Sequence, residues 1–223
     1  MTKSLGDRMK DYEAAWVRQL PPRLPIILRV DGRAFHTVTA KAKKPFDEAV
    51  TAAMVETTAR LVKEVAGCQF AYHQSDEISL FVHPYKKFET QAWFGGNVDK
   101  MISIAASVAS VTFSRLFGQD VEFDARVFVL PEAEVHNYFL WRQRDAIRNS
   151  ISSLARYLTG PSKVHGLGSA ALIELCDLVG TPWTSLDVAH RLGTVVDRNG
   201  LVLYPDFSVA TDFTKPYLTV EEQ

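Results

Sequence analysis

Phe70-Ala-Tyr-His-Gln-Ser-Asp-Glu-Ile-Ser-Leu-Phe-Val-His83 is the stretch that decides how this chain folds. Two strand-like runs, Phe70–His73 and Ile78–His83, are parted by Gln-Ser-Asp-Glu, the pattern of a β-hairpin with an acidic pair at or beside its tip. Before it, Leu24 to Val30 is a short apolar run rich in branched residues, bounded by Pro21-Pro22 and Asp31-Gly32. It reads as a buried strand that ends in a polar glycine loop. Between these segments Phe46, Val50, Met54, Leu61 and Val65 recur at near-helical spacing, with Asp47 and Glu48 at the start and Gly67 as the stop. After the hairpin, small and apolar residues from about Thr90 to Phe117 predict a helix whose Ala/Ser face packs close to the sheet, ended by Gly118. Ala125 to Leu130 is a further strand, stopped at Pro131.

This order is β-α-β-β-α-β. Beyond it, Val135 to Leu158 predicts a long helix closed by Gly160-Pro161, and Leu172 to Val179 a shorter one. A third helix is expected to be capped by Ser185 and to end at Gly193. Thr194–Val196 and Leu201–Leu203 flank Asp-Arg-Asn-Gly, a hairpin signal. The fold class expected is α+β: a polymerase-palm or ferredoxin-like antiparallel sheet with packed helices and a C-terminal helical and hairpin extension. No repeat or linker divides the chain, so residues 1–223 are expected to form one catalytic body, with a palm-like core over 1–134 and the extension over 135–223.

Composition bounds the function. The 223 residues carry 25 Lys and Arg against 26 Asp and Glu, a net charge of −1, so any nucleic-acid contact must use local patches. Apolar residues are 47% and charged residues 23%, the balance of a globular protein with a sizeable core. Cys68 and Cys176 stand in no ligand-like spacing, which fits a reduced compartment and disfavours zinc. The N-terminus carries charges where a signal peptide needs an apolar core, and the uncharged run Met101–Ser114 is shorter than the roughly 20 residues that span a bilayer. These features predict a soluble cytoplasmic protein without a membrane partner.

Three carboxylates carry the candidate chemistry: Asp31 at the end of the first strand, and Asp76 with Glu77 at the hairpin tip. In a β-α-β-β order the first and third strands can be neighbours, bringing Asp31 within reach of Asp76. Carboxylate oxygens without a His/Cys cluster suit Mg²⁺, and two such ions about 4 Å apart can serve in-line phosphoryl transfer. The plain alternative is that Asp31 starts a turn and the acidic pair solvates a hairpin. Gly32-Arg33-Ala34-Phe35-His36 follows the first carboxylate, where a glycine lets backbone N–H groups approach phosphate and Arg33 and His36 add donors. Phe35 reads as a core anchor. Lys41, Lys43 and Lys44 form a basic run open to triphosphate, RNA or solvent, and Lys100 begins the small-residue helix. On the long helix Arg142, Arg144, Arg148 and Arg156 form either a phosphate-contacting strip or a salt-bridge face.

Taken together, Arg29-Val-Asp-Gly-Arg-Ala-Phe-His36, Lys44-Pro-Phe-Asp47, Tyr72-His-Gln-Ser-Asp-Glu77, Phe123-Asp-Ala-Arg126 and Tyr138-Phe-Leu-Trp-Arg-Gln143 resemble, in order and spacing, the tRNA-histidine guanylyltransferase family and its Thg-like relatives. The resemblance implies a palm-like fold that adds nucleotides to RNA in the 3′-to-5′ direction with two Mg²⁺ ions and ATP or GTP as substrates. It implies Asp31, the Gly32 carbonyl and Asp76 as metal ligands with Glu77 beside them. The triphosphate cradle would be the Gly32–His36 backbone, Ser75 and Lys100, with Lys44 close by; Asp47 would touch the incoming base or serve as a helix N-terminal carboxylate. Arg126, Arg142, Arg144, Arg148 and Asn149 are the residues expected to meet tRNA, and a homo-oligomer, dimer or tetramer, is expected. Two departures point to the Thg-like branch, which repairs truncated 5′ ends by templated pairing. Ile147-Arg148-Asn149-Ser150 stands in place of His-Ile-Asn-Asn, and Gly95-Gly96 in place of paired arginines. The competing readings are a strict tRNA-histidine guanylyltransferase, a nucleotidyl cyclase and a noncatalytic nucleotide-gated RNA-binding module.

Overall fold

The computed structural model describes residues 3–85, 89–204 and 206–208. In chain order its elements begin with α1 (Leu5–Ala14), β1 (Ile26–Gly32), the single turn α2 (Phe35–Val38) and α3 (Glu48–Glu64). The hairpin β2 (Cys68–Gln74) and β3 (Glu77–Val82) leads to α4 (Val98–Phe117) and β4 (Phe123–Val129). The rest is α5 (Glu132–Thr159), α6 (Pro161–Val164), α7 (Ser169–Leu178), α8 (Val188–Leu192), β5 (Thr194–Asp197) and β6 (Val202–Leu203). The six strands make one antiparallel sheet in the order β4-β1-β3-β2-β5-β6. The expected α+β fold is therefore present, with the C-terminal hairpin extending the same sheet.

Alternation along the strands sorts the chemistry onto two faces. Ile26, Leu28 and Val30 of β1 and Ile78, Leu80 and Val82 of β3 point to the side covered by α3 and α4, where Met54, Leu61, Met101, Ala105, Ala109 and Phe113 complete a buried layer. The alternate residues, Ile27, Arg29 and Asp31 with Glu77, Ser79 and Phe81, share the face crossed by α5, which contributes Val135, Tyr138 and Phe139. Two buried threonines of α3 satisfy their hydroxyls locally: Thr57 donates to the Ala53 carbonyl and Thr58 to that of Met54, each at 2.7 Å. The chain returns under α5 at Phe207, fully buried against Tyr72 and Phe139, with its N–H donating to Gln143.

Several boundaries differ from the sequence expectation. The helix expected from Thr90 starts at Val98, because the backbone turns through left-handed conformations at Phe94 and Gly95 and Asn97 then caps Lys100 N–H. Ser185 is not the cap of the helix before Gly193. It closes a 3₁₀ turn, and Asp187 caps α8 by accepting from Ala189 N–H. The helix α1, whose N-cap Ser4 accepts from Asp7 N–H, has no buried residue: Leu5, Met9 and Tyr12, at i, i+4 and i+7, all stand exposed.

Candidate active site

Asp31 lies near the end of β1, in register with Glu77 on β3 and Asp124 on β4. The hairpin tip comes in beside it: Gly32 N–H donates to the Asp76 carbonyl at 3.1 Å. A Cβ on Gly32 would stand 2.5 Å from Phe35 Cδ2, 3.0 Å from Asp76 Cβ and 3.2 Å from Asp76 Oδ2, so only glycine lets β1 pass the tip this closely. The neighbours of the pair are held in uncommon backbone: Ser75 has φ 51° and Ala34 φ 50°, the left-handed region that side chains disfavour.

Electrostatics then separate the three expected carboxylates. Burial pushes Asp76 above the ordinary carboxylate range, opposed by hydrogen bonds from Ser75 and its own N–H, and the nearby charge of Asp31 pushes the same way. Glu77 is also pushed up by burial, but its oxygens are committed to guanidinium groups. Arg142 Nε donates to Oε1 at 2.7 Å and Nη2 to Oε2 at 2.6 Å, while Arg29 stands 2.7 Å from Oε2. That corrects Glu77 from a residue of the reacting cluster to a buried clamp between β3 and α5. Asp31 and Asp76, with the Gly32 backbone, remain as an all-oxygen donor set, offset only in part by Arg29 at 3.4 Å and Arg126 at 3.9 Å from Asp31, which fits a hard divalent cation. Among the described residues no group of three or more His, Cys, Asp or Glu side chains assembles for a metal.

A cavity of about 450 Å³ opens next to this cluster. Phe35 and Ser75, the neighbours of Gly32 and Asp76, line it, together with the 42–47 loop, His73, Gln74, the inner face of α5 from Ala146 to Arg156, and His190 of α8. Lys43 and Lys44 sit on its wall, the Lys44 ammonium donating to the Thr39 carbonyl at 3.1 Å. Asp47 is there as the N-cap of α3: its carboxylate accepts from Ala49 N–H at 2.8 Å and Lys43 N–H at 2.7 Å, which hold it below the usual range. Phe35 is buried against Phe113 and Phe123, the anchor its sequence context suggested. His36 is exposed on the following turn.

Other expected residues lie elsewhere. Lys100 begins α4, whose later residue Phe113 is the one that reaches Phe35. At about 1.5 Å per residue Lys100 is roughly 20 Å away along the axis, near the opposite end of the sheet, so it leaves the cradle of this chain. Arg33 pairs with Glu122 on the surface at 2.5 Å. Arg126 stands over the sheet beside Asp124, at 3.2 Å, and Asp31, at 3.9 Å. The expected arginine strip divides: Arg142 is 5% exposed and clamps Glu77 and Asp145, so it is no surface phosphate contact. Arg144 and Arg148 are exposed, the latter paired with Asp145, and Asn149 lines the cavity. Sequence reasoning passed over His73, Phe46, Ser150 and His190 as site residues and placed Arg156 only in the arginine strip; all five line the cavity wall. Of these only His73 and Phe46 fall inside the motif blocks, where their positions are the one available signal.

Comparison with known proteins agrees with this arrangement. The family model Thg1: tRNAHis guanylyltransferase matches residues 6–131, which span the sheet strands β1 to β4 and both carboxylates. A bacterial tRNA(His) guanylyltransferase (Thg1)-like protein in complex with ATP superimposes with a TM-score of 0.86 at 37% identity over 93% of each chain. The same kind of protein in complex with GTP gives 0.78 at 40% identity over 87% of this chain and 84% of that one. A probable tRNA(His) guanylyltransferase of Bos taurus is 31% identical over 94% of this chain and 66% of its own length. With more than half of its length within the family model, a relative 31% identical over 94% of the chain, and a fold that superimposes at a TM-score of 0.86, the chain belongs to the tRNAHis guanylyltransferase family, a family of nucleotidyltransferases.

Proposed function

We propose that this protein is a Mg²⁺-dependent nucleotidyltransferase that extends the 5′ end of tRNA in the 3′-to-5′ direction, choosing nucleotides by pairing with a template and so repairing truncated ends. The observation that carries the reading is the approach of Asp31, Gly32 and Asp76 beside a cavity of nucleotide size. The neighbours that superimpose on this chain were solved with ATP and GTP, which supports a nucleoside triphosphate as the occupant.

In this reading Asp31, Asp76 and the Gly32 carbonyl would hold the divalent ions, which when bound offset polyphosphate charge and lower the pKa of an attacking hydroxyl. The chain's own part is positional. Gly32 keeps the strand end flat against the hairpin tip, the backbone from Ala34 to His36 and Ser75 offers donors to phosphate, while the Arg33 N–H is held by the Glu122 carbonyl, and Lys44 adds a cation at the cavity wall. The 3′-hydroxyl of an incoming nucleotide attacks the 5′ phosphorus of the RNA, activated by adenylylation or as an existing triphosphate; the P–O bond to the leaving AMP or pyrophosphate breaks, and the hydroxyl proton passes to solvent. Arg144 and Arg148 on the exposed side of α5 supply phosphate contacts for the RNA.

The experiment offers a set of 5′-truncated tRNAs, differing only in the base opposite the gap, with each NTP and Mg²⁺, and reads products by length. Incorporation that follows the opposing base is the expected result. Guanosine added whatever the base, and only to tRNA-histidine, would favour the strict guanylyltransferase, and no extension of any RNA would favour a binding module.

A further inference from the structure

The cavity contains a polar group that this mechanism does not use. His73, near the end of β2, is 4% exposed and lines the cavity, and neither Nδ1 nor Nε2 has a hydrogen-bond partner. Its cross-strand neighbour on β5, Thr194, is 1% exposed, and its Oγ1 is unpartnered as well. Buried polar atoms are almost always paired, because an unpaired one forfeits its hydration without return. His73 lines the cavity and Thr194, its buried cross-strand neighbour, supplies it no partner, so the imidazole marks hydrogen-bonding capacity that a ligand can take up. Burial holds the imidazole down to about 4, so at neutral pH it is uncharged, with one donor and one acceptor nitrogen. It suits a neutral heterocycle better than a phosphate. The wall around it agrees: Phe46 lies flat on His190, centroids 4.4 Å apart and planes at 8°, and Ser153 of α5 adds a hydroxyl.

We infer that His73 is the residue by which this cavity selects a purine base, the bound base giving the buried imidazole its missing partner. The inference rests on the reading of the cavity as a nucleoside triphosphate site and adds which part of the nucleotide this wall reads. Either tautomer serves, since adenine presents a donor beside an acceptor and guanine the reverse, whereas the single ring of a pyrimidine has a shorter reach. A base engaged here is held by protein and not by an RNA strand. The nucleotide in the cavity is accordingly the one that activates the 5′ end, and His73 takes no part in reading the template.

Calorimetric titration of the full chain with ATP, GTP, CTP, UTP and inorganic tripolyphosphate, each with Mg²⁺, tests this in the wild type, His73→Leu and His73→Gln. The wild type is expected to bind ATP and GTP about tenfold more tightly than the pyrimidine nucleotides, the worth of one well-made hydrogen bond. His73→Leu should lose that margin, keep its tripolyphosphate affinity and melt no lower than wild type, since it removes an unsatisfied polar group. His73→Gln, with a donor and an acceptor, should recover part of the margin. A purine margin unchanged in His73→Leu, or an equal loss of tripolyphosphate affinity, would overturn the inference. If the leucine variant does not fold, a wild type with no purine margin, or a glutamine variant that keeps the whole margin for one purine and loses it for the other, also overturns it. Failure of the wild type to bind any nucleotide would overturn the proposed function itself, which a missing purine margin alone leaves standing.

Discussion

Replacing Arg142 by Met is the sharpest test of how the two layers of this protein are joined. The Arg142 side chain is 6% exposed and that of Glu77 5%, and two hydrogen bonds of 2.7 and 2.6 Å connect them, with a third of 2.9 Å to Asp145. Removing one member of a buried ion pair strands the other, at a cost of about 3–5 kcal/mol. Arg29 still stands 2.7 Å from Glu77, so the lower end, about 3 kcal/mol, is expected. For a chain of this size that is a fall in Tm of roughly 6–12 °C. The pH dependence follows from Glu77, whose carboxyl burial already pushes above its ordinary range. Without Arg142 it rises further. A raised carboxyl contributes stability below its unfolded pKa, about 4.3, that is lost as pH rises through the folded pKa, so the deficit should be small near pH 4 and grow toward pH 7. Thermal melting by circular dichroism across that range reads it. Adding Glu77→Gln to Arg142→Met should return at least half of the loss at pH 7, because the stranded carboxylate is then neutral and Arg29 keeps Asp31 at 3.4 Å. A fall in Tm under 2 °C, or a deficit that is larger at pH 4, would refute the buried clamp and return Arg142 to the RNA-contacting strip.

Three further outcomes are expected. Gly193→Ala should destabilise by about 2–5 kcal/mol in urea titration, because φ is 78° there and a Cβ would fall 2.5 Å from Tyr72 Cε2 and 2.6 Å from Cζ; a change under about 0.5 kcal/mol would show that the α8–β5 junction yields. Asp47→Ala should cost about 1 kcal/mol as a lost N-cap, with Asp47→Asn keeping most of it. Since hydrogen bonds depress the Asp47 carboxyl, the charged cap's advantage should be present above about pH 4 and fade as pH falls through the folded pKa; a cap effect absent at pH 7 counts against this. Asp76→Asn should abolish nucleotide addition while leaving metal-free stability unchanged or raised by up to about 1 kcal/mol, since it relieves burial of charge and repulsion from Asp31, and retained turnover would remove Asp76 from the metal set.

Much of the candidate site was legible in the residues. The hairpin tip and the Asp-Gly end of the first strand were both visible, and the β-α-β-β order allowed strands one and three to be neighbours, as they are. Asp31 does face Glu77 across that pair. For Asp47 the helix N-terminal reading is seen directly, since its carboxylate caps α3, and the residue also lines the cavity. Lys100 misled because a helix can begin beside a site or end beside it, and periodicity does not say which. Here α4 meets the glycine loop through Phe113, near its far end.

What the sequence by itself determined about this protein is local: strand against helix from period 2 against period 3.6, turns from Asp-Gly and Asn-Gly, and the carboxylates that stand at strand ends. Those signals arise from backbone sterics and from one face of an element, which neighbouring residues set. Only the tertiary structure decided the fate of the charges and of the histidine. Arg142 and Arg148 lie on the same helix six residues apart, yet one is buried on Glu77 and the other is exposed, because a partner 65 positions away on β3 meets only the first. His73 reads as one more strand residue until β5 and the cavity wall close around it and leave its nitrogens unpaired. A charge or an imidazole takes its chemistry from the solvent removed and the partners supplied, and both come from segments distant in the chain.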